Sequence, residues 1–306
     1  MPFFKNYRDH RFNVQTKDTV EKATQVINDL GAQGYTLTLR QLYYQFVSKN
    51  WIENSQQSYK RFGRIITNAR ESGRVDWLAI EDRQRGLSTY YKQENFEEVI
   101  EGLDTDITFE PWDRMNDYVE VWIEKQALEN VVSRPCSIWR VPYMACKGYL
   151  SASEAWRAGL RYARAIDKGK KPVLIHLADH DPSGINMTDD NRERVRLFAE
   201  SKGIEVKRIA LNMDQVEKYN PPPNPAKKAD SRSKDYIHRF GKNCWELDAL
   251  EPKVLDGLIT NAIKKHIDMD VWNDTMELQE EARRIPQALA DNWDEVKNYM
   301  YNQEMI

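Results

Sequence analysis

The stretches YVEVWIEKQALENVV (Tyr118–Val132) and VLIHLADHDPSG (Val173–Gly184) decide how this chain is read. Each opens as an apolar, strand-like run and ends in carboxylates: Glu124 after the first, Asp179 and Asp181 after the second. The carboxyl ends of strands in an open parallel sheet share one edge, where ligands bind. Carboxylates ending apolar strands are costly to bury unless they are paired or coordinating, so three at one edge point to metal binding. An all-oxygen set suits Mg²⁺, a hard cation that keeps several waters and works on phosphates, with Mn²⁺ able to substitute. In this reading Asp179 and Asp181 share a cation, while Glu124 holds a second one or acts as general acid–base. Gly184 lets the chain pass closely into a helix whose N-terminus favours anions. The residues imply a Mg²⁺-dependent enzyme acting on phosphodiesters.

Working outward, strands and helices alternate. Strands are expected over Val119–Ile123, Ser137–Met144, Val173–Ala178 and Val206–Leu211. Helices are expected over Lys125–Val132, from the capping-box pattern Ser151-Ala-Ser-Glu154 to Ile166, and over Ile185–Ser201. This βαβ order predicts an α/β, Rossmann-like parallel sheet. Tyr219–Pro225 (YNPPPNP) must be a stiff loop, because consecutive prolines join neither helix nor ladder. Basic residues including Lys227, Lys228 and Arg232 follow, then WELDAL (Trp245–Leu250), and from Pro252 onward the chain reads as helical and acidic.

Upstream, residues 17–30 place Val20, Ala23, Val26, Ile27 and Leu30 on one helical face. Thr38 is positioned to cap a second helix running to Val47. A third, Ser55–Ser72, turns Tyr59, Phe62, Ile65, Ile66 and Ala69 inward and Lys60, Arg61, Arg64 and Arg70 outward, as phosphate contacts. Arg74–Ile80 is expected as a wing or short strand. Three short helices and a wing are the layout of a winged-helix DNA-binding domain. The predicted organisation is a winged-helix domain over 1–90, an acidic linker over 91–116, a metal-binding α/β domain over 117–250 and a helical acidic extension over 251–306.

Composition narrows the classes. A chain of 306 residues, 41% hydrophobic and 30% charged, has room for two cores and an ordinary soluble balance. No run reaches the roughly 18 to 20 apolar residues of a membrane span, and MPFFKNYRDHRFNVQ lacks a secretory apolar stretch. Three cysteines without metal spacing suggest buried thiols in a reducing cytoplasm. The net charge of −3 is unevenly spread: residues 1–90 carry 14 Lys/Arg against 9 Asp/Glu, whereas 94–120 carry 10 acids and one Arg. Phosphate binding needs local positive charge, and the basic part coincides with the helical DNA-binding pattern.

Glu124-Lys125 after one strand, Lys147-Gly148-Tyr149 after the next and ADHDPSG after a third together resemble a Toprim domain. The resemblance is to the topoisomerase VI A subunit and the meiotic double-strand-break transesterase. Upstream, Arg40-Gln-Leu-Tyr43-Tyr44 resembles that family's nucleophile motif, an Arg before paired tyrosines in a winged-helix domain. Order and spacing agree across roughly residues 35–250. The tail, with YNPPPNPAKKADSR and WELDAL, is similar to small stand-alone relatives in phage and mobile elements. The resemblance implies metal-assisted cleavage of double-stranded DNA by a tyrosine, leaving a 5′-phosphotyrosyl link. It also implies a homodimer in which one protomer's tyrosine faces the other's metal site, Lys147 at phosphate, a cytoplasmic, nucleoid-associated location and a separate ATPase subunit. No Walker-type Gly-x-x-x-x-Gly-Lys loop is present in this chain.

Tyr43 and Tyr44 point roughly 100° apart on a helix, so at most one of them faces DNA. Tyr44 is preferred because the family motif uses the second tyrosine, and Arg40 lies four residues before it on the same face. A phenol with pKa near 10 needs such help to attack at neutral pH. His180, between the aspartates, is read as a spacer. Two other functions compete: a Toprim nuclease that activates water on the same metals, and a DNA-binding regulator or decoy without catalysis.

Overall fold

The computed structural model describes residues 4–80, 102, 107–225 and 233–303. The chain divides into two compact units, residues 1–85 with 118–265 and residues 86–117 with 266–306. The expected boundary at residue 90, the linker up to residue 101, and Lys227, Lys228 and Arg232 lie outside the described residues.

In the first unit, β1 (Asp117–Ile123), β2 (Tyr143–Ala145), β3 (Lys171–Leu177) and β4 (Glu205–Ala210) form a parallel sheet in the order β2-β1-β3-β4. The order reverses between β1 and β3, and at such a switch point a crevice opens beyond the carboxyl ends. Glu124 and Asp179 follow those two strands, and the Glu124 N–H donates to Leu177 O at 2.9 Å. Near-continuous apolar runs belong in strands covered on both faces. Accordingly Val119, Val121, Trp122 and Ile123 are all buried. Glu120, the charged exception, is buried because the Arg161 guanidinium meets both its oxygens at 2.8 and 2.9 Å, while Tyr118 and Trp122 donate to them as well.

Helices α4 (Glu129–Ile138), α5 (Ala152–Asp167) and α6 (Pro182–Phe198) connect these strands. Trp122, Tyr162, Leu174, Val195 and Val206 form one core between the sheet and α5 and α6. The sequence expectation for 125–144 needs correcting: the helix runs on to Ile138 and the strand shrinks to Tyr143–Ala145. Val131, Val132, Pro135 and Cys136 are all buried and share one helical face, so packing carries the helix through Pro135.

The N-terminal helices α1 (Val14–Gly31), α2 (Leu39–Ser48) and α3 (Gln56–Glu71) enclose Leu42, Phe46, Phe62 and Ile66. Thr38 caps α2 with a reciprocal capping box to Gln41, and Ser55 caps α3. Residues 74–80 form no strand, so the wing expectation is also corrected; they make one isolated bridge, Leu37 to Ile80. Arg70 explains the alternative. Its guanidinium donates to Trp77 O at 2.6 Å and Ile80 O at 3.2 Å and stacks over Trp77, satisfying carbonyls that a ladder would otherwise pair.

Downstream come α7 (Met213–Tyr219), a two-residue pairing of β5 (Asn224–Pro225) with β6 (Asn243–Cys244), α8 (Ser233–Phe240) and α9 (Pro252–Lys264). The second unit holds α10 (Met269–Asp291) and α11 (Trp293–Asn302). The two buried positions of α10 are polar because they serve the acidic segment's backbone and Arg114. Gln279 accepts from the Phe109 N–H at 3.0 Å, and Thr275 meets Arg114 at 3.2 Å. Among the described residues, no helix is long and apolar enough to cross a membrane.

One buried histidine sets an acid limit on this fold. His176 on β3 is fully buried, with Nδ1 at 2.9 Å from Thr188 Oγ1, and burial, reinforced by Arg208 and Arg192, pulls its pKa down to about 3. The unfolded chain binds this proton below about pH 6.5 and the folded chain does not, so the stability is present above that value and is lost as pH falls towards 3. The unfolding free energy from urea titrations is expected to fall by about 2 kcal/mol in total between pH 7 and pH 5 from this residue, most of it below pH 6.5. His176→Asn should flatten that slope; an unchanged slope would refute the assignment.

Candidate metal and nucleophile site

The turn after β3 is built by close approach and by one arginine. Asp181 caps α6, its Oδ1 accepting from the Gly184 N–H at 2.6 Å, with Pro182 opening the helix. Arg208 on β4 reaches under this turn and donates to the carbonyls of Asp179 (2.6 Å), Ala178 (2.9 Å), Gly184 (2.8 Å) and Leu211 (3.1 Å). Burial lowers its pKa to about 10, which still leaves it charged at neutral pH. A second clamp pairs His180 with Trp245 through two backbone hydrogen bonds of 2.8 and 3.0 Å. The His180 ring lies 2.7 Å from Tyr236 Oη and packs against Phe240 and Trp245, so this position is a buried anchor and not a spacer.

That clamp carries WELDAL to the end of β3. Asp179 Oδ1 accepts from the Leu247 N–H at 2.8 Å, and one oxygen each from Asp179, Glu246 and Asp248 lies within 4.8 Å of the others. Lys125 sits among these three, 2.8 Å from Asp179 Oδ1, 3.1 Å from Asp248 Oδ1 and in contact with Glu246 Oε2. Arg40 on α2 takes Asp248 Oδ2 at 2.6 Å and Glu246 Oε2 at 2.9 Å. Of the expected metal ligands, Asp179 belongs to this cluster. Glu124 lies beside it, its Oε2 accepting the Asp179 N–H at 2.9 Å, and Asp181 commits one oxygen to the helix cap.

Electrostatics follow from this packing. Burial pushes the Asp179 carboxyl well above the usual range, with Lys125 pulling the other way. Burial likewise raises Glu124, against the Asp179 N–H and Lys125. Burial also opposes ionisation of Glu246, yet Lys125 and Arg40 outweigh it and hold the group at about 2.

Tyr44 completes the site. Its ring lies under the Arg40 guanidinium at 5.5 Å, and its hydroxyl is 3.5 Å from Arg40 Nη2. Burial, then the charges of Glu246 and Asp248, push the phenol up to about 12, with Arg40 and Asn224 opposing. The Tyr43 hydroxyl instead ties the α2–α3 turn, lying 3.1 Å from Ser55 O and accepting from the Ser55 N–H at 3.0 Å. Arg40, Tyr44, Asp179, Asp181 and Glu246 line one cavity of about 760 Å³, whose far wall includes Asn54 and Asn224, joined at 2.6 Å.

The expected phosphate contacts fall into separate places. Lys60, Arg61 and Arg64 lie together on the exposed side of α3, around a cavity of about 500 Å³. Arg70 is turned towards residues 77–80, and Lys147 is exposed in a left-handed turn at φ 57°.

Sequence reasoning assigned no role to Lys125, Arg208, Glu246 or Asp248. For the last two a signal existed: Glu246-Leu-Asp248 repeats the carboxylate–x–carboxylate spacing of Asp179-His-Asp181, around a residue buried in both cases. For Arg208 none did, since a charged residue within a strand reads as solvated. The chain matches no family model and no curated protein.

Proposed function

We propose that this chain is a Mg²⁺-dependent DNA-cleaving enzyme of the topoisomerase VI A type, with Tyr44 as nucleophile. On this reading the N-terminal helices are a winged-helix-like module without a strand over residues 74–80, and the sheet is a Toprim domain. The observation that carries it is the shared cavity: Arg40 links the Tyr44 hydroxyl directly to the carboxylates Glu246 and Asp248. The resemblance implies a site shared between protomers, whereas this cavity supports assembly within one chain.

The donor set fits a divalent cation. The five carboxyl groups of Glu124, Asp179, Asp181, Glu246 and Asp248 face the three cations Arg40, Lys125 and Arg208, so acidic groups outnumber basic ones by two. All the donors are oxygen, which suits Mg²⁺ or Mn²⁺. Asp179, Glu246 and Asp248 would hold the ion, with Glu124 and Asp181 beside them. When bound, it supplies charge stabilisation to a phosphate under attack.

The chain's own residues do the rest. Arg40 holds the phenol and competes for the scissile phosphate, lowering the cost of forming the phenolate. Attack by the Tyr44 oxygen on phosphorus breaks the P–O3′ bond and leaves a 5′-phosphotyrosyl end. The phenolic proton passes to solvent, and Glu124, pushed up by burial, is suited to protonate the departing O3′. Lys60, Arg61 and Arg64 are proposed to hold the duplex backbone. A homodimer and a separate ATPase subunit belong to the same proposal.

Supercoiled DNA incubated with the protein and Mg²⁺, then denatured with and without protease, tests it. The wild-type chain should give adducts released only by protease, and Tyr44→Phe should give none while still binding DNA. The phenol's pKa of about 12 favours one competing reading, a Toprim nuclease using activated water. That enzyme would give free nicked or linear DNA, and Tyr44→Phe would still cut.

A further inference from the structure

We propose that Lys125 is the resident counter-cation of the carboxylate cluster and that a divalent cation binds by displacing its ammonium group. This rests on the metal reading given above and adds a residue that sets the terms of metal binding. The three carboxylates gathered within 4.8 Å are the same three that Lys125 contacts, so the ammonium occupies the ground a shared cation needs. Arg40 stands differently: it takes the other Asp248 oxygen and reaches Glu246 from the Tyr44 side, so it can remain while the centre changes hands.

The physical logic is charge economy. Three carboxylates this close repel one another, and buried charge without a partner is strongly unfavourable. A lysine placed among them keeps the cluster assembled before any metal arrives. A compact ammonium on a flexible four-carbon stem can leave, as a bidentate guanidinium could not without breaking two fixed bonds. The Lys125 side chain is only 18% exposed, so displacement moves it from a nearly closed position towards the cavity. There a DNA phosphate would receive it, and metal and DNA would then favour each other's binding.

The 306-residue chain is titrated with MnCl₂ by calorimetry, without DNA. Lys125→Met should bind Mn²⁺ about tenfold more tightly than wild type or better, because one opposing charge is gone from a partly buried site. Asp179→Asn should abolish binding in both backgrounds, fixing the signal to this cluster. Equal or weaker binding by Lys125→Met overturns the proposal while leaving the metal reading intact. No Mn²⁺ binding by either chain overturns both. Since the methionine could disturb folding, the wild-type chain is also probed with a lysine-acetylating reagent and mass spectrometry. Acetylation of Lys125 should rise several-fold on adding Mn²⁺; no change, or a fall, overturns the proposal.

Discussion

Asp179→Asn is expected to reduce metal-dependent DNA cleavage by about 10³-fold or more while leaving the fold in place. The loss corresponds to the several kcal/mol of charge stabilisation that a bound divalent ion gives a phosphoryl transition state. Stability should change little. Asparagine has the same shape, and its Oδ1 can keep the 2.8 Å bond from the Leu247 N–H. Burial already drives this carboxyl well above its usual range, so a neutral isostere suits the position better than a charge. Lys125 would still face Glu246 and Asp248. The expected pattern, lost activity with a melting temperature unchanged or raised, marks a residue kept for chemistry at some cost in stability. The rate of conversion of supercoiled to nicked and linear DNA gives the first number and thermal unfolding the second. Cleavage within tenfold of wild type would remove Asp179 from the mechanism under both the tyrosyl and the water reading.

Gly184→Ala is expected to be strongly destabilising, since among the described glycines an added methyl here makes the shortest contact to backbone. A Cβ at this position would lie 2.1 Å from the Asp179 carbonyl oxygen and 3.0 Å from its carbon, both backbone atoms fixed by Arg208 and by β3. No rotamer relieves the clash, so helix and turn must separate, breaking the Asp181 cap as they do. Overpacking against backbone costs about 3 kcal/mol or more, a drop of about 10 °C in melting temperature for a unit of this size. Gly257→Ala is the control: nothing lies within 4 Å of its added methyl, and alanine is the better helix former by about 1 kcal/mol. If the two substitutions shift the melting temperature alike, the close approach at Gly184 is not what shapes the turn.

Much of the sheet was legible because the strands flanking the site are buried on both faces and therefore read as unbroken apolar runs. Val119–Ile123 and Val173–Ala178 fall within a residue or two of β1 and β3. The helix starts were readable from Thr38, Ser55 and Ser151, whose side chains accept from the third backbone N–H onward in each case. Legibility failed where local chemistry was overruled. The helix end expected at Val132 gave way to the burial of Pro135 and Cys136, and the expected wing yielded to the hold of Arg70 on Trp77 and Ile80. The carboxylates of the site split along the same line. Asp179 could be placed from its own strand, but Glu246 and Asp248 reach it through the His180–Trp245 clamp, a long-range pairing with no local periodicity to betray it.

That clamp also fixes when the site comes into being. A ribosome releases the chain from its N-terminus, and domains assemble as their last necessary piece emerges. A nascent chain extending to Pro225 already holds Tyr44, Arg40, Lys125 and Asp179, but the two arginine and lysine cations have only one of their three carboxylates to meet. The cluster closes only once Trp245 pairs with His180 and brings its neighbours with it. Synthesis thereby withholds the carboxylate cluster until residues 245–248 have emerged.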